Sequence, residues 1–248
     1  MKTTALALHS VSKSFGALQA LDGVTLAVAA GERRALIGPN GAGKTTLFQI
    51  MSGLLSPTTG RVELFGSNVT HCPIHQRVAL GLARTFQITN LFANLSVEQN
   101  VVLALQGLGR TKFNLFCPVS RERSLFVRAG ALLEEWQLSE RRASLVRELS
   151  HGEQRALEIL LAVCQHPKLL LLDEPTAGLS PAETLAAAAL VRRLPREMAI
   201  VIIEHDMDVA FSLCETVTVL HAGKMMATGE ADAVRTDPIV RSIYLGST

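Results

Sequence analysis

One run of residues constrains this chain more than any other. Gly38-Pro39-Asn40-Gly41-Ala42-Gly43-Lys44-Thr45 fits G-x-x-x-x-G-K-[ST] at every fixed position. Apolar Ala35-Leu36-Ile37 precedes it as a short buried strand, and Thr45 to Met51 follows with helical character. Glycines let backbone N–H groups turn inward around an anion. The helix that follows aims its positive end at the same place. Lys44 is placed to reach a β- and γ-phosphate, and the Thr45 hydroxyl to ligate magnesium. A strand–glycine loop–helix unit of this kind requires an α/β fold and points to a nucleoside triphosphate.

A second run supplies carboxylates. Leu169-Leu170-Leu171-Leu172 reads as a strand buried on both faces, and Asp173-Glu174 stand at its carboxyl end, the edge where open α/β sheets bind ligands. Asp173 suits magnesium held through water. Glu174 suits a general base that activates water. His205 follows another apolar strand, Ala199 to Ile203, and is placed to sense a γ-phosphate by hydrogen bonding. Gln87, in Arg84-Thr85-Phe86-Gln87, is a neutral group able to bind both water and a metal. Ser150 and Gly152, in Leu149-Ser150-His151-Gly152-Glu153-Gln154, form a candidate helix cap and anion nest.

Composition excludes much else. Hydrophobic residues make up 48% of the 248, which raises the question of a membrane protein. The longest uncharged stretch, Thr45 to Gly60, is interrupted by Ser52, Gly53, Ser56, Pro57 and Gly60, so no segment reads as a bilayer span. Met1 to His9 does not read as a secretory leader. Net charge is only +2, basic residues fall in scattered pairs such as Arg33-Arg34, and aromatics are 4%, which disfavours a nucleic-acid groove. Cys72, Cys117, Cys164 and Cys214 are far apart, with no C-x-x-C pair, and read as free thiols in a reducing cytoplasm.

Periodicity orders the chain. Leu6 to His9 and Val24 to Val28 alternate as strands; Val217 to Leu220 is another short apolar run. Gln154 to Cys164 and Pro181 to Arg193 read as helices between strands, so the sheet is mostly parallel. From about residue 88 to 150 the alternation stops. Val97 to Leu105 and Ser124 to Trp136 are helix-like, with a loop around Gly107 to Pro118 in which Phe113, Leu115 and Phe116 pack beneath the loop. A helical lobe inserted in an α/β core follows.

Taken together, the ordered motifs resemble the ATP-binding cassette (ABC) ATPases along essentially the whole chain. Gly38 to Thr46 looks like the Walker A loop and Leu169 to Glu174 like Walker B. Gln87 looks like the Q-loop glutamine, Leu149 to Gln154 like the family signature, and His205 like the switch histidine. Phe15 falls where the family places an aromatic ring against adenine. The pattern departs from the family at His151 and Glu153 in the signature and at Ser180, where the D-loop usually ends in Asp.

The resemblance implies an α/β P-loop NTPase with a RecA-like core, an N-terminal antiparallel β subdomain and an inserted helical subdomain over about 88–150. Residues 1–248 would form a single nucleotide-binding domain. It implies ATP and Mg2+ as cofactors. Gly38, Pro39, Asn40, Gly41, Ala42, Gly43, Lys44, Thr45 and Thr46 would hold phosphate; Thr45, Gln87 and Asp173 would hold the metal; Glu174, His205, Gln87 and Lys44 would serve catalysis. It further implies a head-to-tail pair with a second cassette, identical or a paralogue, in which Ser150 and Gly152 face the other subunit's ATP. Permease subunits and, through them, a solute-binding protein would be the remaining partners, at the cytoplasmic face of the inner or plasma membrane.

The wording of Glu174 to Pro181, Gly81 to Gln87 and Ile203 to Asp208 is similar to importers of branched-chain amino acids. Urea or amide importers and lipopolysaccharide-type exporters share much of it. A soluble ABC ATPase outside transport is the reading from another class.

Overall fold

The computed structural model describes residues 3–85, 91–107 and 123–245. Two long strands, β1 (Thr4–Phe15) and β2 (Leu18–Ala29), pair antiparallel, and β1 also pairs antiparallel with β4 (Thr59–Leu64), which carries the two-residue β5 (Ser67–Asn68). This four-stranded sheet runs β2-β1-β4-β5. Alternation puts Leu6, Leu8, Val24, Leu26 and Val28 in the core.

The second sheet has six strands, in the order β10-β9-β3-β8-β7-β6. They are β3 (Arg33–Ile37), β6 (Leu82–Arg84), β7 (Leu169–Asp173), β8 (Ala199–Ile203), β9 (Thr216–His221) and β10 (Lys224–Glu230). β9, β3, β8, β7 and β6 are mutually parallel, and only β10 runs antiparallel, to β9. Every residue of β3, β7 and β8 is buried, as strands covered on both faces require. The Arg33-Arg34 pair lies inside β3. Arg33 donates to the Leu194 carbonyl at 2.8 Å, and Arg34 binds Glu32 and the Thr218 and Thr228 hydroxyls. This basic pair is structural, not a surface charge.

The helices are α1 (Lys44–Ser52), α2 (Ile74–Leu80), α3 (Val97–Gln106), α4 (Arg123–Glu135), α5 (His151–Val163), α6 (Pro181–Arg193), α7 (Met207–Leu213), α8 (Ala231–Thr236) and α9 (Pro238–Leu245). No helix among the described residues is long and apolar enough to cross a membrane. Helix α5 begins at His151, three residues before the Gln154 expected from periodicity, because Ser150 and Glu153 close a capping box around its first turn.

The chain divides into two compact units. One comprises 1–84, 168–175 and 191–248 and carries both sheets; its core gathers Leu6, Leu21, Leu47, Phe48, Leu169 and Val201. The other comprises 85–167 and 176–190. Its core is built by Val97, Val101, Leu133, Leu157 and Leu160 from α3, α4 and α5, with half-buried Trp136 against it. The apolar loop residues Phe113, Leu115 and Phe116 lie outside the described residues, as does Cys117. Cys72 is half-buried, Cys164 and Cys214 are buried, and all three are free thiols.

Candidate functional site

Parallel pairing puts the carboxyl ends of β3, β8 and β7 side by side, and each leads into a segment singled out from sequence. From β3 the chain turns through Gly38 to Gly43 and enters α1 at Lys44. Glycine is obligatory at two of these positions. Gly38 has φ 152°, and a Cβ there would lie 2.1 Å from the Leu220 carbonyl oxygen. Gly43 has φ 101°, and a Cβ would lie 2.7 Å from the Ala20 oxygen. These contacts bring the loop backbone close against its neighbours where it enters α1, and a helix start of this kind is where phosphate oxygens bind.

Lys44 is buried, and its ammonium donates to the carbonyls of Gly38 and Pro39, at 2.5 and 3.0 Å. Burial holds its pKa below the ordinary lysine value, and the Glu174 carboxylate opposes that shift. Thr45 and Thr46 follow in the first turn of α1.

From β7 come the two carboxylates. Asp173 ends the strand, only 2% exposed, and accepts from Arg84 Nη2 at 2.8 Å. Arg84 also donates to Ser52 Oγ at 2.8 Å and lies 5.3 Å from the Phe48 ring centroid. Glu174 adopts φ 48°, a left-handed conformation that a non-glycine residue occupies at a cost, and its N–H donates to the Ile203 carbonyl at 2.9 Å. That backbone turn aims its side chain at the next strand end. His205 Nε2, just beyond β8, lies 2.6 Å from Glu174 Oε1. The His205 side chain is 48% exposed and that of Glu174 is 14% exposed, which gives solvent access from the histidine side.

Phe15, at the end of β1, is half exposed, and Lys13 Nζ lies 5.2 Å from its ring centroid. An exposed ring is free to stack on a planar ligand. These residues of the first unit comprise Phe15, Gly38 to Thr46, Asp173, Glu174 and His205. Ser150 and Gly152 belong to the second unit, at the first turn of α5. Gln87 lies outside the described residues.

Among the described residues no group of three or more His, Cys, Asp or Glu side chains forms a ready-made metal cage. The donors expected for magnesium there are the Thr45 hydroxyl and the Asp173 carboxylate. That sparse oxygen set fits an ion that keeps much of its water and takes phosphate oxygens as ligands.

Three residues that touch segments singled out from sequence carry no assigned role from sequence. In the sequence Arg84 is only a near neighbour of Gln87; its pairing with Asp173 follows from the β6–β7 register, which sequence does not give. Glu183 accepts from Ser180 and from the Gly152 N–H, and the only sequence signal is the cap spacing Ser180 to Glu183. The hydroxyl of Tyr244, in α9, takes a backbone hydrogen bond from Gly38, while burial pushes its pKa up to about 12. That contact joins residues about two hundred positions apart.

A mostly parallel sheet with a glycine loop between its central strand and a helix defines a P-loop nucleotide-binding fold. More narrowly, the family model described as "ABC transporter" matches residues 21–177. A high-affinity branched-chain amino acid transport ATP-binding protein of Pseudomonas aeruginosa is 36% identical over 253 residues, covering 99% of each chain. A lipopolysaccharide export system ATP-binding protein of Acidithiobacillus ferridurans is 36% identical over 242 residues, covering 97% of this chain and 96% of that one. The crystal structure of the ADP conformation of an ATP-binding cassette of an ABC transporter superposes with a TM-score of 0.87 at 30% identity, over 98% of this chain and 99% of that one. The chain belongs to the ABC transporter family: it is an ATP-binding, ATP-hydrolysing subunit of a transporter.

Proposed function

We propose that this cassette energises import of branched-chain amino acids or a related small hydrophobic solute, as one of a pair of ATPase subunits docked on permease subunits at the cytoplasmic face of the membrane. In this reading Phe15 stacks on adenine, and the Gly38–Thr46 loop with Lys44 holds the phosphates. Thr45, Asp173 and Gln87 hold magnesium, which neutralises phosphate charge when bound. Glu174 takes a proton from water, whose oxygen attacks the γ-phosphorus as the bond to the β-phosphate oxygen breaks. His205 holds Glu174 in place and meets the γ-phosphate. Ser150 and Gly152 serve the nucleotide of the opposite subunit.

The single observation that carries the chemistry is the 2.6 Å contact between His205 Nε2 and Glu174 Oε1. It pairs the proposed base with the group that orients it, at the strand edge beside the phosphate loop. Glu174→Gln is expected to lower ATP turnover roughly 10²- to 10⁴-fold with ATP affinity retained. Turnover near the unmodified rate would remove Glu174 from the role of base.

Support for import comes from relatives named for branched-chain amino acid transport in Pseudomonas, Salmonella and Escherichia, at 33–36% identity. Lipopolysaccharide export is the second reading, favoured by the 36% relative named for it. Uptake of labelled leucine by the reconstituted transporter, set against release of lipopolysaccharide, decides between them.

A further inference from the structure

The signature segment and the segment that follows Glu174 meet in one side chain. Glu183 Oε2 accepts from the Ser180 hydroxyl at 2.7 Å and from the Ser180 N–H at 3.0 Å. Its other oxygen, Oε1, accepts from the Gly152 N–H at 3.0 Å. A Cβ on residue 152 would lie 2.9 Å from Glu183 Cγ, so the approach needs glycine there. Ser150 is engaged separately: its hydroxyl accepts from the Glu153 N–H at 3.2 Å, and Glu153 Oε2 accepts from the Ser150 N–H at 2.8 Å. Two of the three departures from the family pattern, Ser180 and His151, thus act at Glu183, and the third serves the α5 cap. Glu153 closes the α5 cap, Ser180 anchors the Glu183 carboxylate, and the His151 ring adds favourable potential at that carboxylate. The hydrogen bonds from Ser180 and Gly152 hold Glu183 below the ordinary carboxylate range, so it is a full anion at neutral pH.

One amide hydrogen serves one strong acceptor. The reading above, on which this inference rests, brings the Gly152 N–H to a phosphate presented by the opposite cassette. A carboxylate and a phosphate cannot both occupy it, and at that separation they repel. We propose that Glu183 is a positioning residue whose carboxylate stands in for phosphate on the Gly152 amide, so that ATP borne by the opposite cassette must displace it, and that this contest sets the ATP concentration at which the pair closes. Glu183 also lies at N3 of α6, the helix that follows Glu174 through Pro175 to Ser180. Its release therefore reports closure to the chain segment attached to the proposed base.

The test is ATP-driven association of the full chain in a Glu174→Gln background, titrated with MgATP and read by sedimentation. The second cassette is supplied where it is a different chain. Glu183→Gln keeps the length and the N3 capping ability but removes the charge. It is expected to lower the half-closing ATP concentration about five- to tenfold, and in the hydrolysing protein to lower KM with little change in kcat. Ser180→Ala weakens the cap and leaves the charge, and is expected not to lower the midpoint. A midpoint unmoved or raised by Glu183→Gln overturns the proposal alone. So does an equal fall in Ser180→Ala, which would make the cap, not the charge, responsible. No association at any ATP concentration in the parent protein overturns the shared-site reading and this proposal with it.

Discussion

Asp173 and Glu174 are neighbours with opposite surroundings. Asp173 is sealed in the sheet against the Arg84 guanidinium, whereas Glu174 turns through a left-handed conformation towards the exposed ring of His205. The first arrangement fixes a charge and the second leaves one able to meet water. Arg84→Ala takes the cation away from a carboxylate that remains buried, a change that costs about 3 kcal/mol or more. The expected outcome is a lowered denaturation midpoint together with weakened magnesium-dependent ATP binding; an unchanged midpoint would show that Arg84 is dispensable for holding Asp173. Arg84 stands in the sequence beside Gln87, yet its partner is 89 positions on, and only strand register joins them.

Helix α1 is held at both ends, and the two holds were not equally legible. Its first turn was readable from Gly38 to Thr45, because the motif is local and each residue type has a local reason. Its last turn is held by Arg77, whose guanidinium, fully buried, donates to the carbonyls of Ile50, Met51, Val69, Thr70 and Cys72. Those carbonyls include α1's own terminal acceptors, the groups a helix end leaves open. Nothing in the residues around Arg77 announces this, since main-chain acceptors have no sequence signature. Lysine offers three donors on one point where arginine offers a planar fork of five. Arg77→Lys is therefore expected to lower stability by about 2 kcal/mol, seen as a fall in thermal midpoint, with ATP affinity falling because α1 carries Lys44.

The starts of α5 and α6 behave alike. In Glu153, burial pushes the pKa up, but the Ser150 N–H and the Arg141 guanidinium outweigh it and the net shift is down. Glu183 is likewise held low. A carboxylate depressed in the folded state stabilises above its unfolded pKa, and that contribution disappears as pH falls through the folded value. The denaturation midpoint is expected to fall between about pH 5 and about pH 2, and less steeply in a Glu153→Gln, Glu183→Gln double variant.

At the scale of the molecule, the sequence motifs located the strand edge, because Gly38 to Thr45, Asp173-Glu174 and His205 each end a buried apolar run. Strands with polar faces were harder. β4 and β5 expose consecutive residues, β10 exposes every second one, and none gives an apolar run; the short α7, α8 and α9 are too brief for a helical period. Ser150 and Gly152 lie in a different unit from Lys44 and Glu174. If each complete site draws on two chains, specific ATPase activity rises with protein concentration at low concentration and then levels. A specific activity independent of dilution would contradict a shared site.

Tyr244 touches the phosphate loop at Gly38, and it is the only tyrosine of the chain; Trp136, the only tryptophan, packs on the helical core. Each unit therefore carries its own intrinsic optical reporter, and the two separate spectrally. Excitation at the red edge of aromatic absorption selects the indole, while phenol-specific Raman bands follow the hydroxyl beside the loop. Nucleotide titrations of the unlabelled protein can then be read at the loop and at the helical unit independently, with no engineered dye.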